Sequence, residues 1–315
     1  MNPNATLAVQ RAGQLETTGP QINWLIEGLW ADQAVGILGG EPKCCKSFLA
    51  LEMALSIASG AACLHQFPVY RQGPVLLFPA EDSLAVVRQR LEGMASVAGV
   101  SLGALPIEVI TEPVLRLDLP ADRQRLTNTV ALIKPLLLIL DPLIRMHRLE
   151  ENDASQIAGL LSFLRQLQRQ FGLAVLVVHH SRKDSNGSRP GQALRGSSDL
   201  HGWGDSNLYM RRRREQLTLS TEHRAAPSRD HIPLQLMEIE SALSLSVLAD
   251  PPPSSDPSPL QRVHQILAQQ SQPISLQRLR QLCGLRTATV CAALNQLTEQ
   301  GLVTRGAKGY QLRPP

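Results

Sequence analysis

The chain predicts an α/β fold built on a mostly parallel sheet, followed by a small basic helical module. Three observations carry that expectation. Short, wholly apolar runs alternate with stretches of helical periodicity over much of the 315 residues. Strands buried on both faces read this way, and they belong to parallel sheets covered by helices. The stretch Gly40-Glu41-Pro42-Lys43-Cys44-Cys45-Lys46-Ser47 follows the first apolar run and opens the first helical one. After a Pro/Ser-rich break at 251–258 the composition changes, with seven Lys/Arg from 259 onward against one acid, Glu299.

The first elements fit a phosphate-binding loop. Residues 34–39 (AVGILG) read as a buried strand, and 47–59 (SFLALEMALSIAS) place apolar residues at helical spacing up to Gly60. Between them lies the pattern G-x-x-x-x-G-K-[ST], with Cys45 where the second glycine belongs. Such a loop turns backbone N–H groups toward a nucleotide's phosphates, and the helix N-terminus adds partial positive charge. Gly40, Glu41, Pro42, Lys43, Cys44 and Cys45 form the cradle in this reading, with Phe48 at its far edge. Lys46 reaches the β/γ-phosphates and Ser47 holds Mg²⁺. Cys45 is the departure, because this position often needs a positive φ, which glycine tolerates and cysteine resists. The alternative is a structural turn with a solvated lysine.

Further along, 75–78 (VLLF) reads as a second buried strand ending in Pro79-Ala80-Glu81-Asp82. Glu81 is the candidate base or water-positioning group for attack on a γ-phosphate. Asp82-Ser83 reads as the cap of a helix over 84–94, and in the alternative both acids only cap that helix. Arg88 and Arg90 read as surface charges. The run 136–140 (LLLIL) delivers Asp141, which would hold Mg²⁺ opposite Ser47. Arg145 and His147 lie just beyond. The acidic stretch 150–153 reads as a loop before a helix over 154–171.

A fourth buried strand, 173–178 (LAVLVV), ends in His179-His180-Ser181-Arg182-Lys183. His179 or His180 could sense the γ-phosphate, or simply be a hydrogen-bonded strand end. Metal is rejected there, because no third ligand is suitably spaced. A polar Gly/Pro-rich loop over 184–192 leads to Arg195-Gly196-Ser197-Ser198-Asp199. The strand-like 206–210 runs into four consecutive arginines at 211–214, which read either as DNA-phosphate contacts or as a solvated strand end. Ligands bind at the carboxyl ends of parallel strands. The loop, Glu81, Asp141 and His179 all fall on that edge.

Bulk properties set limits. The length suggests two domains. No run approaches the ~18 apolar residues of a membrane span, and the opening residues lack a signal-peptide pattern. Five cysteines (Cys44, Cys45, Cys63, Cys283, Cys291) without a C-x-x-C pair suggest reduced thiols and a cytoplasmic setting. Adjacent Cys44 and Cys45 leave open a redox switch. Aromatics make up only 3% of the chain, which argues for ionic, salt-sensitive DNA contacts over base stacking.

The loop, GPVLLFPAEDSLAVVRQRL, LLLILDPLIRMHRLEENDAS, LAVLVVHHSRK and LRGSS together resemble the RecA-like ATPases of the plasmid replicative helicase RepA type, and more distantly the DnaB helicases. The resemblance spans residues 24–210. It implies a ring, usually a hexamer, with ATP between subunits and single-stranded DNA in the channel. It also implies that Lys46 and Ser47 bind phosphate and Mg²⁺, that Glu81 is the catalytic carboxylate, that Asp141 is the second Mg²⁺ contact and that the His179/His180 strand end is the sensor. Where DnaB-like relatives carry K-x-R, this chain has Glu222-His223-Arg224, so only Arg224 could serve there. Asp205 stands in the region where the RepA helicase has an arginine. Arg195 and Arg224 are the candidates for an arginine acting across the subunit interface.

These readings divide the chain into an arm (1–20), a RecA-like ATPase domain (21–250), a stiff linker (251–258) and a tail domain (259–315). The tail predicts helices over 260–270, 276–283 and 287–300, then a hairpin around Gly306-Ala307-Lys308. That order resembles a winged helix. Thr287, Thr289 and Asn295 could face bases, and Arg286, Arg305 and Lys308 phosphate. The rival is a protein-docking module. For the whole chain the leading expectation is a DNA-stimulated ATPase of the RepA helicase type, with single-stranded and duplex DNA as partners and no membrane. The alternatives are a nucleotide-gated DNA-binding regulator with slow or no hydrolysis and an interaction platform without nucleotide chemistry.

Overall fold

A computed structural model describes residues 9–14, 23–149, 154–180, 198–214, 216–239, 242–248, 259–270, 272–285, 287–306 and 309–313. The chain opens with a short hairpin, β1 (Trp24–Ile26) and β2 (Trp30–Ala31). It continues through β3 (Val35–Gly40), α1 (Lys46–Ser59), β4 (Val75–Pro79), α2 (Leu84–Val97), β5 (Ile107–Val109), α3 (Pro120–Ile133), β6 (Leu137–Asp141), α4 (Ala154–Phe171), β7 (Ala174–His180) and α5 (Ser198–Trp203). Four strands follow: β8 (Ser206–Arg213), β9 (Gln216–His223), β10 (Arg229–Ile239) and β11 (Ala242–Val247). Contacts divide the chain into two units, Met1–Leu248 and Ala249–Pro315.

Nine strands form one sheet in the order β11-β10-β9-β8-β3-β7-β6-β4-β5. From β8 to β5 neighbours run parallel, and β9, β10 and β11 extend the sheet antiparallel. Alternation along each strand sends side chains to opposite faces, and each face carries its own core. Leu38, Val75, Leu77, Leu137, Ile139, Leu176 and Val178 pack on the face covered by α1 and α2. Val35, Ile37, Leu76, Phe78, Leu138, Leu140, Val175 and Val177 pack on the other, with α3, α4 and α5.

Helix α1 is buried nearly all round, from Leu49 to Ala58, which is why its sequence reads apolar on every side. It ends at Gly60, in the left-handed region at φ 78°, whose N–H donates to Ser56 O at 2.8 Å. One carboxylic acid lies within that apolar shell. Glu52 Oε1 accepts from the Leu64 N–H at 3.2 Å, and burial pushes the carboxyl up to about 7.

The four apolar runs of the sequence all become strands, with ends displaced by at most two residues. The apolar-run reading does not anticipate α3, whose buried residues are Leu126 and Val130. Nor does it anticipate β9, where buried positions alternate with less buried ones, or β10 and β11, which mix buried, partly buried and exposed residues.

The second unit holds α6 (Pro259–Ala268), α7 (Leu276–Cys283), α8 (Thr287–Glu299) and the hairpin β12 (Val303–Gly306) with β13 (Gly309–Leu312). Val263, Leu267, Leu279, Val290, Leu294, Leu297 and Val303 form its core. Ser275 caps α7 by accepting from the Arg278 N–H at 3.3 Å, and Ile274 bridges to Tyr310. Gly309 is required at that bridge. A Cβ there would meet Ile274 O at 2.2 Å, and its φ is +125°.

Candidate nucleotide site

The loop between β3 and α1 begins under a steric constraint. A Cβ on Gly40 would lie 2.3 Å from Met210 O of β8 and 2.7 Å from Cys44 Sγ, so only glycine lets the strand pass into the loop here. Lys43 and Cys45 both take positive φ, 65° and 66°. Cys45 therefore has the left-handed conformation (ψ 25°) that the expected glycine would supply without strain. It also stands at the N-cap of α1, without a side-chain cap bond. Lys46 is buried, 5% exposed, and its ammonium donates to Gly40 O at 3.0 Å and Glu41 O at 2.8 Å. The lysine thus ties the two ends of the loop together and keeps its charge in the mouth.

A cavity of about 400 Å³ opens there, lined by Lys43, Cys44, Cys45, Lys46, Ser47 and Phe48 from the loop and helix. Glu81 and Asp82 join from the end of β4, and Asp141 from the end of β6. Burial pushes Asp141 up to about 6; the Ser47 hydroxyl, donating to its carboxylate, and Lys46 oppose the rise, while Asp82 and Glu81 add to it. A hydroxyl and several carboxylates are hard oxygen donors, the set that Mg²⁺ takes. Glu81 is gripped from outside, with Arg145 Nε donating to its Oε1 at 2.8 Å.

Two expectations change here. The histidine that lines the cavity is His180, whereas His179 is buried at 2% exposure. The cause is strand parity: Val178 lines the cavity, so His180 shares its face and His179 turns to the opposite core. Arg90 is not a surface charge. It lines the cavity, pairs with Asp82 and lies 4.8 Å from the centre of the Phe48 ring. Arg88 does stay on the surface, paired with Glu92. Ser83, not Asp82, caps α2, accepting from the Val86 N–H.

The sequence reading missed two contributors. Arg212 of β8 donates to Cys45 Sγ at 3.4 Å, and Leu236 of β10 closes the same side. The arginine run at 211–214 was the available signal, but its register against the loop was not legible.

The candidates for action across an interface are placed unevenly. Arg224 is 58% exposed and bonds within its own chain, to Asp205 Oδ1 at 3.0 Å and Gly202 O at 3.0 Å. Asp205 also pairs with Arg165 and accepts from the Val35 N–H. Glu222 accepts from Tyr209 OH at 3.1 Å and lies 2.8 Å from His201 Nε2. Arg195 lies outside the described residues, as do Arg286 and Lys308. In the second unit Thr287 is exposed at the start of α8, Thr289 is half-buried and Asn295 is exposed. Arg305 sits on β12 opposite Tyr310.

Residues 3–186 match the family model described as "AAA domain". Among solved structures, the RadB recombinase superposes with a TM-score of 0.51 at 18% identity, over 69% of this chain and 92% of that one. A DnaB-like replicative helicase, solved with attention to its interactions with primase, superposes with a TM-score of 0.52 at 14% identity, over 68% of this chain. This chain spans 57% of that helicase's length. At these identities the likeness is one of fold, and the fold is RecA-like. Among the described residues no helix is long and apolar enough to cross a membrane.

Proposed function

The chain belongs to the AAA-domain family, and on that premise we propose that it is an ATP-binding and ATP-hydrolysing motor that works on DNA, of the RepA helicase type, in replication or maintenance of a plasmid or other mobile element. The observation that carries this reading is the convergence of Lys46, Ser47, Glu81 and Asp141 on one cavity from three separate strand ends.

ATP lays its phosphates along the loop from Gly40 to Ser47, where Lys46 and the N-terminus of α1 balance their charge. Ser47 and Asp141 would hold Mg²⁺, which would supply neutralising charge to the phosphates. Glu81 orients a water and takes its proton as the water oxygen bonds to the γ-phosphorus. The bond from that phosphorus to the bridging oxygen breaks, and ADP leaves with phosphate. His180, which lines the same cavity, is the γ-phosphate sensor in this reading. Arg224 or Arg195 of a neighbouring copy supplies positive charge in a ring assembly, which for Arg224 requires release from Asp205. Residues 259–315 form a winged helix that holds duplex DNA through Thr287, Thr289, Asn295, Arg286, Arg305 and Lys308.

A second reading, a nucleotide-gated DNA-binding regulator with slow hydrolysis, draws on two observations. Cys45 strains the loop, and Glu222 is engaged within its own chain in place of a lysine. ATP turnover with and without single-stranded DNA, run beside particle size in a non-hydrolysable analogue, separates the two. Turnover stimulated by DNA, with a ring-sized particle, supports the motor. Nucleotide binding without turnover supports the regulator, and no binding at all defeats both.

A further inference from the structure

Strand β9 ends in Glu222 and His223, with Arg224 directly after. This end is gripped from two sides. On one, Glu222 meets Tyr209 and His201, and Arg224 meets Asp205 and Gly202 O. On the other, His223 stands opposite Ser206 of β8 and reaches the opening hairpin. Its Nδ1 lies 3.1 Å from Ser206 Oγ, and its Nε2 lies 3.3 Å from Gly28 O, in the turn between β1 and β2. Ser206 Oγ also accepts from the Ala31 N–H at 3.1 Å. The Trp24 ring stands edge-on to the imidazole, with ring centres 5.0 Å apart.

Gly28 O can only accept, so in the neutral ring Nε2 carries the hydrogen and Nδ1 the lone pair. Ser206 then donates to Nδ1 while it accepts from Ala31. A second proton on the ring would fall on Nδ1 and meet a hydroxyl that is already donating. That hydroxyl would have to turn away inside a fully buried site and lose its acceptor. Arg229 of β10 faces the ring, and burial lowers the His223 pKa from its ordinary 6.5; the Gly28 carbonyl opposes the fall and Arg229 adds to it. The nearby acids are already engaged: Glu27 with Tyr70, Asp32 with Arg71, and Asp205 with Arg165 and Arg224. We propose that neutral His223 is a positioning residue, a clamp that pins the end of β9 to the opening hairpin, and that a proton opens it. The clamp fixes the backbone under Arg224 and leaves the side chain free to change partners. A shift of about 1 Å at a reacting contact can cost about 10²-fold. The effect on turnover rests on the reading of Arg224 as the arginine that acts on a neighbouring copy. The clamp's contribution to stability is complete above pH 6.5 and is lost as pH falls below it, because the folded pKa lies under the unfolded one.

The test follows tryptophan fluorescence of the full chain as pH falls through 6.5, for wild type, Trp24→Phe, His223→Gln and Ser206→Ala. A protonated imidazole quenches the indole beside it. Wild type should lose fluorescence with a midpoint below 6.5, and the step should be absent from Trp24→Phe and His223→Gln. Ser206→Ala removes the hydroxyl that disfavours the proton, so its midpoint should move up toward 6.5. Ser206→Ala and Trp24→Phe keep the test decisive if His223→Gln does not fold. Turnover with oligo(dT), at saturating ATP and Mg²⁺, is measured over the same range. Asp141 adds its own loss in acid, so the quantity read is the ratio of wild type to His223→Gln. That ratio should fall about tenfold per pH unit below the fluorescence midpoint, as the neutral fraction does. A wild-type midpoint at or above 6.5, or one that Ser206→Ala leaves in place, overturns the proposal. So does a ratio that stays flat with pH while Arg224→Ala is impaired. Wild-type turnover in Arg224→Ala, or no turnover in any protein, removes the reading of Arg224 or of the ATPase, and the fluorescence midpoints then decide the clamp by themselves.

Discussion

Two parts of the sheet meet at the same cavity on different terms. The strands β3, β6 and β4 deliver Lys46, Ser47, Asp141 and Glu81 from their carboxyl ends, where the backbone leaves the sheet and turns. The arm from β8 to β11 delivers Arg212 and Leu236 from within strands, reaching over the loop from the side. Groups at strand ends are fixed by loop and helix termini and can face a reacting phosphate. Groups on the arm approach the loop from the side, where they would cover a bound phosphate. The first set should therefore govern whether chemistry occurs, and the second how tightly and selectively the ligand sits.

The largest effects should come from the strand ends, and two substitutions should split them. Glu81→Gln should leave nucleotide affinity near wild type and lower turnover by about 10²–10⁴, the range for losing a positioned base. Lys46→Ala should weaken binding itself by about 2–5 kcal/mol, since it leaves phosphate charge without its buried partner. Calorimetry and turnover on both variants check the split. Equal loss of binding in the two would erase the distinction between holding and reacting.

Asp141 extends the contrast to pH. Its carboxyl, pushed up to about 6 by burial, keeps a proton in the folded chain over a range where the unfolded chain has lost it. That group's contribution to stability therefore falls as pH rises from its ordinary value of 3.8 toward 6. A bound cation has to displace the same proton. The Mg²⁺-dependent part of nucleotide affinity should then shrink about tenfold per pH unit below 6, and Asp141→Asn should remove that dependence. Titrations with and without Mg²⁺ across this window decide it.

The same two parts differ in what the sequence reveals. Val75–Pro79, Leu137–Asp141 and Ala174–His180 are buried on both faces, so they stand out as unbroken apolar runs with a polar residue at the tip. Asp141 and Glu81 could be found from that pattern alone. Which face each tip points to could not, because that depends on where α1 packs, and His179 was favoured over His180 for this reason. The arm is harder still. Arg229–Ile239 carries an exposed Arg-Asp-His start and a proline, so no unbroken apolar run marks it as a strand. The contact of Arg212 with Cys45 joins residues 167 apart in sequence, through a register that no local pattern encodes.

On the arm, Arg212→Ala should leave the catalytic constant close to wild type and weaken nucleotide binding by at most about 1 kcal/mol, the scale of an exposed ionic contact. The loss should fade as salt is raised. A collapse of turnover would instead place Arg212 among the reacting groups and break the division drawn above.

The smallest effect tests the point where the two parts touch. Cys45 holds a left-handed backbone at φ 66° while its sulfur accepts from Arg212. Glycine would relieve a strain of about 1–2 kcal/mol and return about 0.4–1 kcal/mol through the greater freedom of the unfolded chain. Cys45→Gly should thus be more stable than wild type by roughly 0.5–1 kcal/mol, with turnover intact or raised. Cys45→Ala keeps the strained backbone and loses the sulfur contact, so it should be no more stable than wild type. Denaturant melts of the three proteins give the order. If alanine stabilises as much as glycine, the backbone angle is not the constraint; if glycine abolishes turnover, the loop has come to depend on its cysteine and on the arginine that the cysteine holds.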